Sequence, residues 1–305
     1  MTADNSGNPF NPELFVYDPA KSYRWQAFDH ITIATITWNR LEFTKRFLGS
    51  VLKYSHLPFR LLIIDNASTD GTSEYLRNLA ANAPNITLVE NPKNVGKVRA
   101  LRQIQGMVDD GLLVYCDNDV EVLTNYWLLL LMKAFHAARV TRGSSDALLG
   151  MRLINLDEYG FRHATRREIL RIPTAQNDEP RTSYAATSKD DPNPSIRLDE
   201  EVVIGWSEFV IGCVQAMPAS LFHRIPLDDA YPLFVGADDG FICAELRRLG
   251  VPIGYVENGP VVRHNDWPYT EEKIQLYEKL TKTRAVSDFT YVKWKLLRLL
   301  GLRRN

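Results

Sequence analysis

The chain has 305 residues, of which 45% are hydrophobic and 24% are charged, and its formal net charge is −1. This length and composition predict a globular protein, and the near-neutral charge gives no indication of nucleic-acid binding. No apolar stretch reaches the ~18 residues of a membrane span. Because the three cysteines lie far apart and no secretory signal is recognisable, we expect a reduced, cytoplasmic protein.

The first half of the chain alternates between short apolar runs and segments of helical spacing. An irregular leader at 1–30 precedes predicted strands at 31–37, 61–64, 86–89 and 112–116, with predicted helices at 41–54, 73–83 and 95–108 between them. Strands that alternate with helices of this length predict βαβ units and a parallel, doubly wound sheet. The continuous apolar strands indicate burial on both faces.

The second half is less regular. Predicted helices lie at 125–139, 239–249, 271–282 and 286–300, and predicted strands at 148–154, 202–204, 209–217, 253–256 and 261–262. Between them, residues 157–200 are polar, and a loop of this length inside a domain is usually functional or mobile. We expect ligand specificity to depend on residues 155–215.

Acidic residues follow two of the predicted strands. Asp117 and Asp119 flank Asn118 directly after 112–116, and Asp65 follows 61–64. Ligands of open α/β sheets bind beyond the carboxyl ends of strands, and Mg²⁺ prefers carboxylates together with substrate phosphates. The pattern predicts a metal–diphosphate site, although a single Asp-x-Asp is also compatible with an ordinary turn.

A basic segment joins the next strand to its helix. Asn91 opens it, and Lys93, Lys97, Arg99 and Arg102 follow. Cations at a helix N-terminus can hold phosphate, whereas any one of these residues could equally lie on a solvated helix face.

Taken in this order, the segments resemble the family 2 glycosyltransferases with the GT-A fold over about residues 30–265. The matching segments are Thr-Trp-Asn-Arg at 37–40, Ile-Asp-Asn-Ala-Ser-Thr-Asp-Gly-Thr at 64–72, residues 91–96, and Asp-Asn-Asp at 117–119. The resemblance implies an α/β, Rossmann-like, doubly wound mixed sheet with an acceptor-side extension and C-terminal helices. It divides the chain into a leader (1–30), a nucleotide-sugar-binding half (31–124), an acceptor-binding and catalytic half of the same domain (125–265) and C-terminal helices (266–305).

The resemblance also assigns roles to individual residues. Asp119 and His264 would hold a divalent metal, Mn²⁺ or Mg²⁺, although a histidine at a strand end is often structural. Trp206 could stack on a sugar ring or belong to the core. The residues implied in nucleotide or substrate binding are Thr37, Asn39, Arg40, Asp65, Asn66, Lys93, Arg99, Asp117, Asn118, Trp206 and Asp238.

Two successive acids precede the helix predicted at 239–249. Asp239 corresponds to the family's catalytic base and Asp238 to the acid before it. A carboxylate that takes the proton of an attacking sugar hydroxyl can contribute roughly 10²–10⁴ in rate. One of the two could instead cap the helix.

We therefore predict a metal-dependent, inverting glycosyltransferase that moves a sugar from a nucleotide-diphosphate sugar to an acceptor hydroxyl of a glycan, lipid-linked or polysaccharide precursor. The alternatives are a nucleotidyltransferase, which usually has a Gly-rich phosphate loop that residues 37–41 lack, and a non-catalytic nucleotide- or sugar-binding protein. The apolar, purely basic C-terminus could form a helix on an anionic membrane surface or pack on the domain.

Overall fold

The computed structural model describes residues 27–154, 202–227, 238–257 and 259–265. Two sheets organise these residues. The strands are β1 Ile31–Thr37, β2 Arg60–Asp65, β3 Ile86–Glu90, β4 Leu112–Asp117, β5 Val120–Val122, β6 Leu148–Gly150, β7 Arg152–Ile154, β8 Ile204–Ser207, β9 Val214–Pro218, β10 Ile253–Val256 and β11 Val261–His264. The eight-stranded sheet has the order β3-β2-β1-β4-β9-β6-β10-β8, and the three-stranded sheet has the order β5-β11-β7.

The larger sheet is parallel in its first half and mixed in its second. β3, β2, β1 and β4 run parallel, whereas β9 pairs antiparallel with both β4 and β6. β10 is parallel to β6 and antiparallel to the edge strand β8. The predicted doubly wound mixed α/β sheet is confirmed, and both halves of the chain contribute strands to it.

Helices cover both faces of this sheet. One layer contains Phe47, Leu76 and Phe135, packed with strand residues such as Ile33 and Leu61. The opposite layer is a second apolar cluster built from three other helices and the alternate strand residues. The helices are α1 Leu41–Tyr54, α2 Thr72–Ala81, α3 Lys97–Gln105, α4 Trp127–Arg142, α5 Ala219–Phe222 and α6 Asp238–Arg248.

Three predicted strands differ from the structure. The run predicted at 202–204 shares only Ile204 with β8, which continues to Ser207. The run at 148–154 divides at Met151 into β6 and β7, which belong to different sheets. The run at 209–217 becomes a strand only from Val214, because the residues before it form a turn that lines the edge of the sheet. An apolar run indicates burial but cannot show where the chain changes partner.

The starts of α1 and α2 are joined by one carboxylate. Asp70 accepts hydrogen bonds from the backbone nitrogens of Leu41 (3.0 Å) and Thr72 (3.1 Å) and from the Thr72 hydroxyl (2.6 Å). Partial burial raises the pKa of Asp70, but these hydrogen bonds outweigh it and lower the pKa below its ordinary value of 3.8. Asp70, the residue before the N-cap Gly71 of α2, therefore accepts hydrogen bonds from N–H groups at the starts of two helices.

Other predicted segments lie outside the described residues: the leader up to residue 26, the whole polar stretch at 157–200, and the C-terminal helices after residue 265. Among the described helices, none is long and apolar enough to cross a membrane.

Candidate active site

The predicted acidic and polar segments meet at the carboxyl ends of the parallel strands. In the strand registers, Thr37 lies opposite Asp65, and Ile36 lies opposite Asp117. The start of β9 reaches the same edge from the other direction, since the Asp117 backbone nitrogen donates to the Cys213 carbonyl oxygen at 3.1 Å. The sheet thus brings the first and second halves of the chain together at one place.

Asp119 is buried at this edge, with only 4% of the residue exposed. Its Oδ2 accepts a hydrogen bond from Nη1 of Arg40 at 2.8 Å, and its Oδ1 lies 3.6 Å from Nε2 of His264. The small sheet explains the meeting with His264, because β11 pairs with β5 and sets His264 opposite Val120. The structure therefore brings together three predicted site residues, Arg40, Asp119 and His264.

Asp117 has a different cation beside it. Lys97, the first residue of α3, donates from Nζ to Asp117 Oδ1 at 2.9 Å, and both side chains are about one-quarter exposed. The predicted nucleotide contacts Lys93 and Arg99 are exposed. A cavity of about 360 Å³ opens on α3, lined by Val95, Arg99, Arg102 and Gln103. Lys97, at the start of α3, is the basic residue of this segment that forms an ion pair with Asp117.

Asn118 points into the protein rather than out of the site. Its Nδ2 donates to the hydroxyls of Thr37 (3.0 Å) and Thr44 (3.1 Å), and these two hydroxyls lie 3.0 Å apart. All three residues are buried. This hydroxyl–amide cluster, Thr37–Thr44–Asn118, anchors the residue between the two acids to β1 and α1. Nucleotide contact by Thr37 and Asn118 stays a prediction.

Asp65 is held by its own loop. Its Oδ1 accepts from the Ser68 backbone nitrogen (3.1 Å) and hydroxyl (2.6 Å), and its Oδ2 accepts from the Ser73 hydroxyl. Only 1% of Asp65 is exposed. The carboxylate therefore orders the turn that leads into α2, and its predicted contact with the nucleotide stays a prediction.

Two predicted asparagines connect loops at the strand ends. Asn39 has a positive φ of 59°, and its Oδ1 accepts from the Thr69 backbone nitrogen at 2.7 Å. Asn66 Oδ1 accepts from the Val95 backbone nitrogen (2.9 Å) and from Asn91 Nδ2 (3.1 Å). These bonds fix the loops after β1, β2 and β3 relative to one another, because each joins residues far apart in sequence.

Asp239 lies within the first turn of α6 and faces the turn before β9. Its Oδ2 accepts from the Gly212 backbone nitrogen at 3.1 Å, and its Oδ1 from the Gly240 backbone nitrogen at 2.8 Å. A Cβ added at Gly212 would stand 3.2 Å from Asp239 Cβ, so the glycine permits this approach. Asp238 begins α6, and its side chain lies outside the described part of the structure.

The buried Cys213 thiol shows that the three acids border one region. Burial raises the pKa of Cys213 most, and the negative charges of Asp117, Asp119 and Asp239 raise it further, while Lys97 opposes them. Charges act appreciably on a group only over short distances. Hydrogen bonds agree with this for two of the acids, since Asp239 accepts from the Gly212 backbone nitrogen and the Asp117 backbone nitrogen donates to the Cys213 carbonyl oxygen.

Trp206 lies apart from these residues. It belongs to the edge strand β8, four strands away from β4 in the sheet order. Its ring is covered by the Arg142 guanidinium, 4.6 Å from the ring centroid, and the residue is 36% exposed. The structure does not bring Trp206 together with the acids, and its predicted stacking on a sugar stays a prediction.

The residues present fit a divalent metal only if the substrate completes the coordination. Among the described residues, no group of three or more His, Cys, Asp or Glu side chains could hold a metal ion. Asp119 and His264 supply one carboxylate and one imidazole, both buried and 3.6 Å apart. Mg²⁺ sites of substrate phosphates commonly use one or two protein carboxylates, so this pair fits a metal carried in with a diphosphate.

Sequence reasoning did not single out Thr44 or Ser73, and it named Lys97 only as one of several basic residues. Thr44 lies one helical turn after Arg40, the spacing at which two residues share a face of α1. Ser73 follows Asp65 by eight residues, in a loop whose path is not evident from the sequence. The sequence did not distinguish Lys97 from its basic neighbours either, because the helix predicted at 95–108 begins at Lys97 only in the structure.

Comparison with known proteins identifies the family. The model of the glycosyl transferase family 2 matches residues 32–183, about half of the chain. This range contains the acids after β2 and β4 and the basic segment before α3. The chain belongs to glycosyl transferase family 2, which confirms the resemblance drawn from its motifs. A search among curated protein sequences gives no match.

Solved structures share the fold at low sequence identity. The structure of GalNAc-T7 with UDP, GalNAc and Mn²⁺ has a TM-score of 0.52 and 14% identity, and the match covers 84% of this chain and 48% of that one. Lower scores relate the chain to the mannosyltransferase PcManGT from Pyrobaculum calidifontis with GDP-Man and Mn²⁺ (0.48, 18% identity, 79% and 62% covered) and to S. aureus TarS 1-349 (0.49, 13% identity, 78% and 60% covered). The chain thus spans about half to three-fifths of these proteins, and the first match supports the GT-A fold.

The hydroxyl–amide cluster gives a prediction for stability. Replacing Thr44 with Val removes one acceptor of the buried Asn118 amide, and an unsatisfied buried donor costs about 1–3 kcal/mol. We expect Thr44→Val to lower the free energy of unfolding by about that amount, measured by urea denaturation at unchanged slope.

Thr35 provides a matched control for this measurement. It is equally buried, and its hydroxyl has no hydrogen-bond partner within the described residues. Thr35→Val should therefore leave stability unchanged or increase it. Equal losses in the two variants would show that Asn118 does not depend on the Thr44 hydroxyl.

Proposed function

We propose that this chain transfers a sugar from a nucleotide-diphosphate sugar to an acceptor hydroxyl, with a divalent metal and with inversion at the anomeric carbon. The observation that carries the proposal is that Asp117 and Asp239 both hydrogen-bond to the turn before β9, at Cys213 and Gly212. Lys97 pairs with Asp117, and Arg40 pairs with Asp119 two residues further on. Family membership supports the class of reaction. A single site then contains anchors for a diphosphate and a base for a hydroxyl.

The donor side must stabilise a diphosphate that leaves with increasing negative charge. Asp119 and His264 would hold Mn²⁺ or Mg²⁺, which when bound neutralises charge on the diphosphate. Lys97 and Arg40 already stand at this edge and can donate hydrogen bonds to phosphate oxygens. Preorganised cations of this kind favour the transition state, in which the leaving charge is largest.

The acceptor side needs a base, and Asp239 is suited to this role. Two backbone N–H groups orient its carboxylate, one at each oxygen. Asp239 would take the hydroxyl proton as the new glycosidic bond forms. Attack opposite the departing diphosphate in one displacement inverts the anomeric centre.

The first prediction of this proposal concerns Asp119. GalNAc-T7, which shares the fold, was solved with UDP and Mn²⁺, so UDP is the first probe and GDP the second. In the wild type, Mn²⁺ together with the matching nucleotide should raise the melting temperature, because a ligand of the folded state stabilises it. Asp119→Asn should abolish the metal-dependent part of this shift and lower transfer by at least about 10²-fold.

Asp109→Asn is the control, because it removes the same charge from an exposed position before β4. It should keep both the shift and the activity. A metal-dependent shift that survives in Asp119→Asn would remove Asp119 from the metal site.

The second prediction concerns Asp239. Asn is nearly isosteric, and its one carbonyl oxygen can still accept a hydrogen bond from Gly212 or from Gly240, but the side chain cannot take a proton. We expect Asp239→Asn to lower kcat by roughly 10²–10⁴ while the affinity for the nucleotide is retained. Single-turnover rates and nucleotide titrations separate the two effects. Loss of activity in Asp238→Asn with normal turnover in Asp239→Asn would transfer the role to Asp238.

Turnover also separates the proposal from its rivals. A nucleotidyltransferase would join a nucleoside triphosphate to a sugar phosphate and release pyrophosphate. A glycosyltransferase would instead transfer the sugar of a nucleotide sugar and release a nucleoside diphosphate. A non-catalytic protein would bind nucleotide and release neither. The acceptor that we propose is a glycan, lipid-linked or polysaccharide precursor.

We further propose peripheral membrane contact through the C-terminal segment, from its sequence alone. Lys293, Lys295, Arg298, Arg303 and Arg304 lie among leucines and Trp294. Each basic residue near an anionic surface contributes about 1 kcal/mol. We expect co-sedimentation with phosphatidylserine vesicles at low salt, lost in high salt and on removal of residues 290–305. A protein that ignores these vesicles, or a truncation that unfolds, would assign the segment to the domain.

A further inference from the structure

Arg40 forms an ion pair with Asp119, the carboxylate that the proposed metal would need. Its Nη1 lies 2.8 Å from Asp119 Oδ2, and the two side chains are 27% and 6% exposed. The other oxygen, Oδ1, faces His264 Nε2 at 3.6 Å. One negative charge therefore serves both an arginine and the candidate metal ligands.

We propose that Arg40 is an exchangeable counter-ion, which holds Asp119 until metal and diphosphate arrive together and then moves to the diphosphate. The inference rests on the proposed function, since it takes Asp119 as a metal ligand. It adds an order to donor binding that family membership does not supply.

Electrostatics give the reason for the exchange. A buried carboxylate needs a partner, and Arg40 supplies it for Asp119 at 2.8 Å. A divalent ion that binds Asp119 alone would stand next to the guanidinium and be repelled by it. A diphosphate relieves this repulsion, because its oxygens accept a guanidinium in two parallel hydrogen bonds.

The local structure allows the side chain to move while the backbone stays. Asn39 and Arg40 both have positive φ values, 59° and 71°. Side-chain contacts hold the turn, since the Asn39 backbone nitrogen donates to Ser68 Oγ at 2.7 Å and Asn39 Oδ1 accepts from Thr69. The Arg40 guanidinium lies 4.6 Å from the centroid of the Phe43 ring, a surface over which a planar group can slide.

The consequence is a coupling between metal and diphosphate. Metal alone competes with Arg40 and binds weakly, whereas metal binds more tightly once a diphosphate has engaged the arginine. By linkage, the metal must strengthen diphosphate binding by the same factor. Without Arg40 the competition disappears, and most of the coupling disappears with it.

The decisive experiment measures Mn²⁺ binding without any nucleotide. Electron paramagnetic resonance of free Mn²⁺ gives the dissociation constant for wild type, Arg40→Gln and Arg247→Gln. We expect Arg40→Gln to bind Mn²⁺ about tenfold more tightly than the wild type. Arg247→Gln, which breaks an exposed pair with Glu208 of the same 2.8 Å length, should leave the constant unchanged.

A second titration adds methylenediphosphonate, a diphosphate analogue that carries no base or sugar. It should tighten Mn²⁺ binding at least fivefold in the wild type and less than twofold in Arg40→Gln. If that variant fails to fold, Arg40→Lys replaces it, and its point charge should give weaker coupling than the wild type. Equal Mn²⁺ affinities and equal coupling in wild type and variant would overturn the proposal.

Asp119→Asn separates this proposal from the one on which it rests. Loss of Mn²⁺ binding in Asp119→Asn, with no gain in Arg40→Gln, would contradict the exchange and leave the metal site standing. Unchanged Mn²⁺ binding in Asp119→Asn would contradict both.

Discussion

Negative charge at the carboxyl ends of the parallel strands, buried at Asp65 and Asp119 and partly buried at Asp117, is the constraint on which the site depends. Asp65 and Asp117 end β2 and β4, which both pair with β1, and Asp119 lies two residues after Asp117, so the sheet brings the acids to one edge. Burying a carboxylate is unfavourable unless hydrogen bonds or a cation compensate it. Much of the surrounding polar structure compensates these three acids.

The two kinds of compensation have different consequences. Asp65 is satisfied by hydroxyls and an N–H group of its own loop, and these donors are fixed by the turn that they form. Asp117 and Asp119 are compensated by long, flexible cations from separate elements. Because a cation on a flexible side chain can be replaced by another charge, Asp117 and Asp119 can exchange their partners for a ligand. The hydrogen bonds of Asp65 instead stabilise its own loop.

The sequence was sufficient where local pattern decides structure. Apolar runs located the strands that lead to Thr37, Asp65 and Asp117, because parallel strands buried on both faces are short and continuously apolar. The sequence was insufficient where the direction of a side chain decides its role. The basic residues at 93, 97 and 99 are equivalent in the sequence, but in the structure Lys97 points toward Asp117 because it lies at the start of α3. Asn118 likewise gave no sign that its amide points inward.

The acceptor side depends on a contact that no local pattern contains. β9 enters beside β4 in the antiparallel direction, so its first residues, rather than its last, reach the edge where the acids lie. Gly212 then allows Asp239 of α6 to approach, because a Cβ at this position would crowd the aspartate. A strand inserted with reversed direction thus contributes its N-terminal turn to a site that the parallel strands form with their C-terminal ends. That reversal explains how residues about 120 apart in the sequence come to border one thiol, Cys213, and why the base could be proposed from its resemblance but not from spacing.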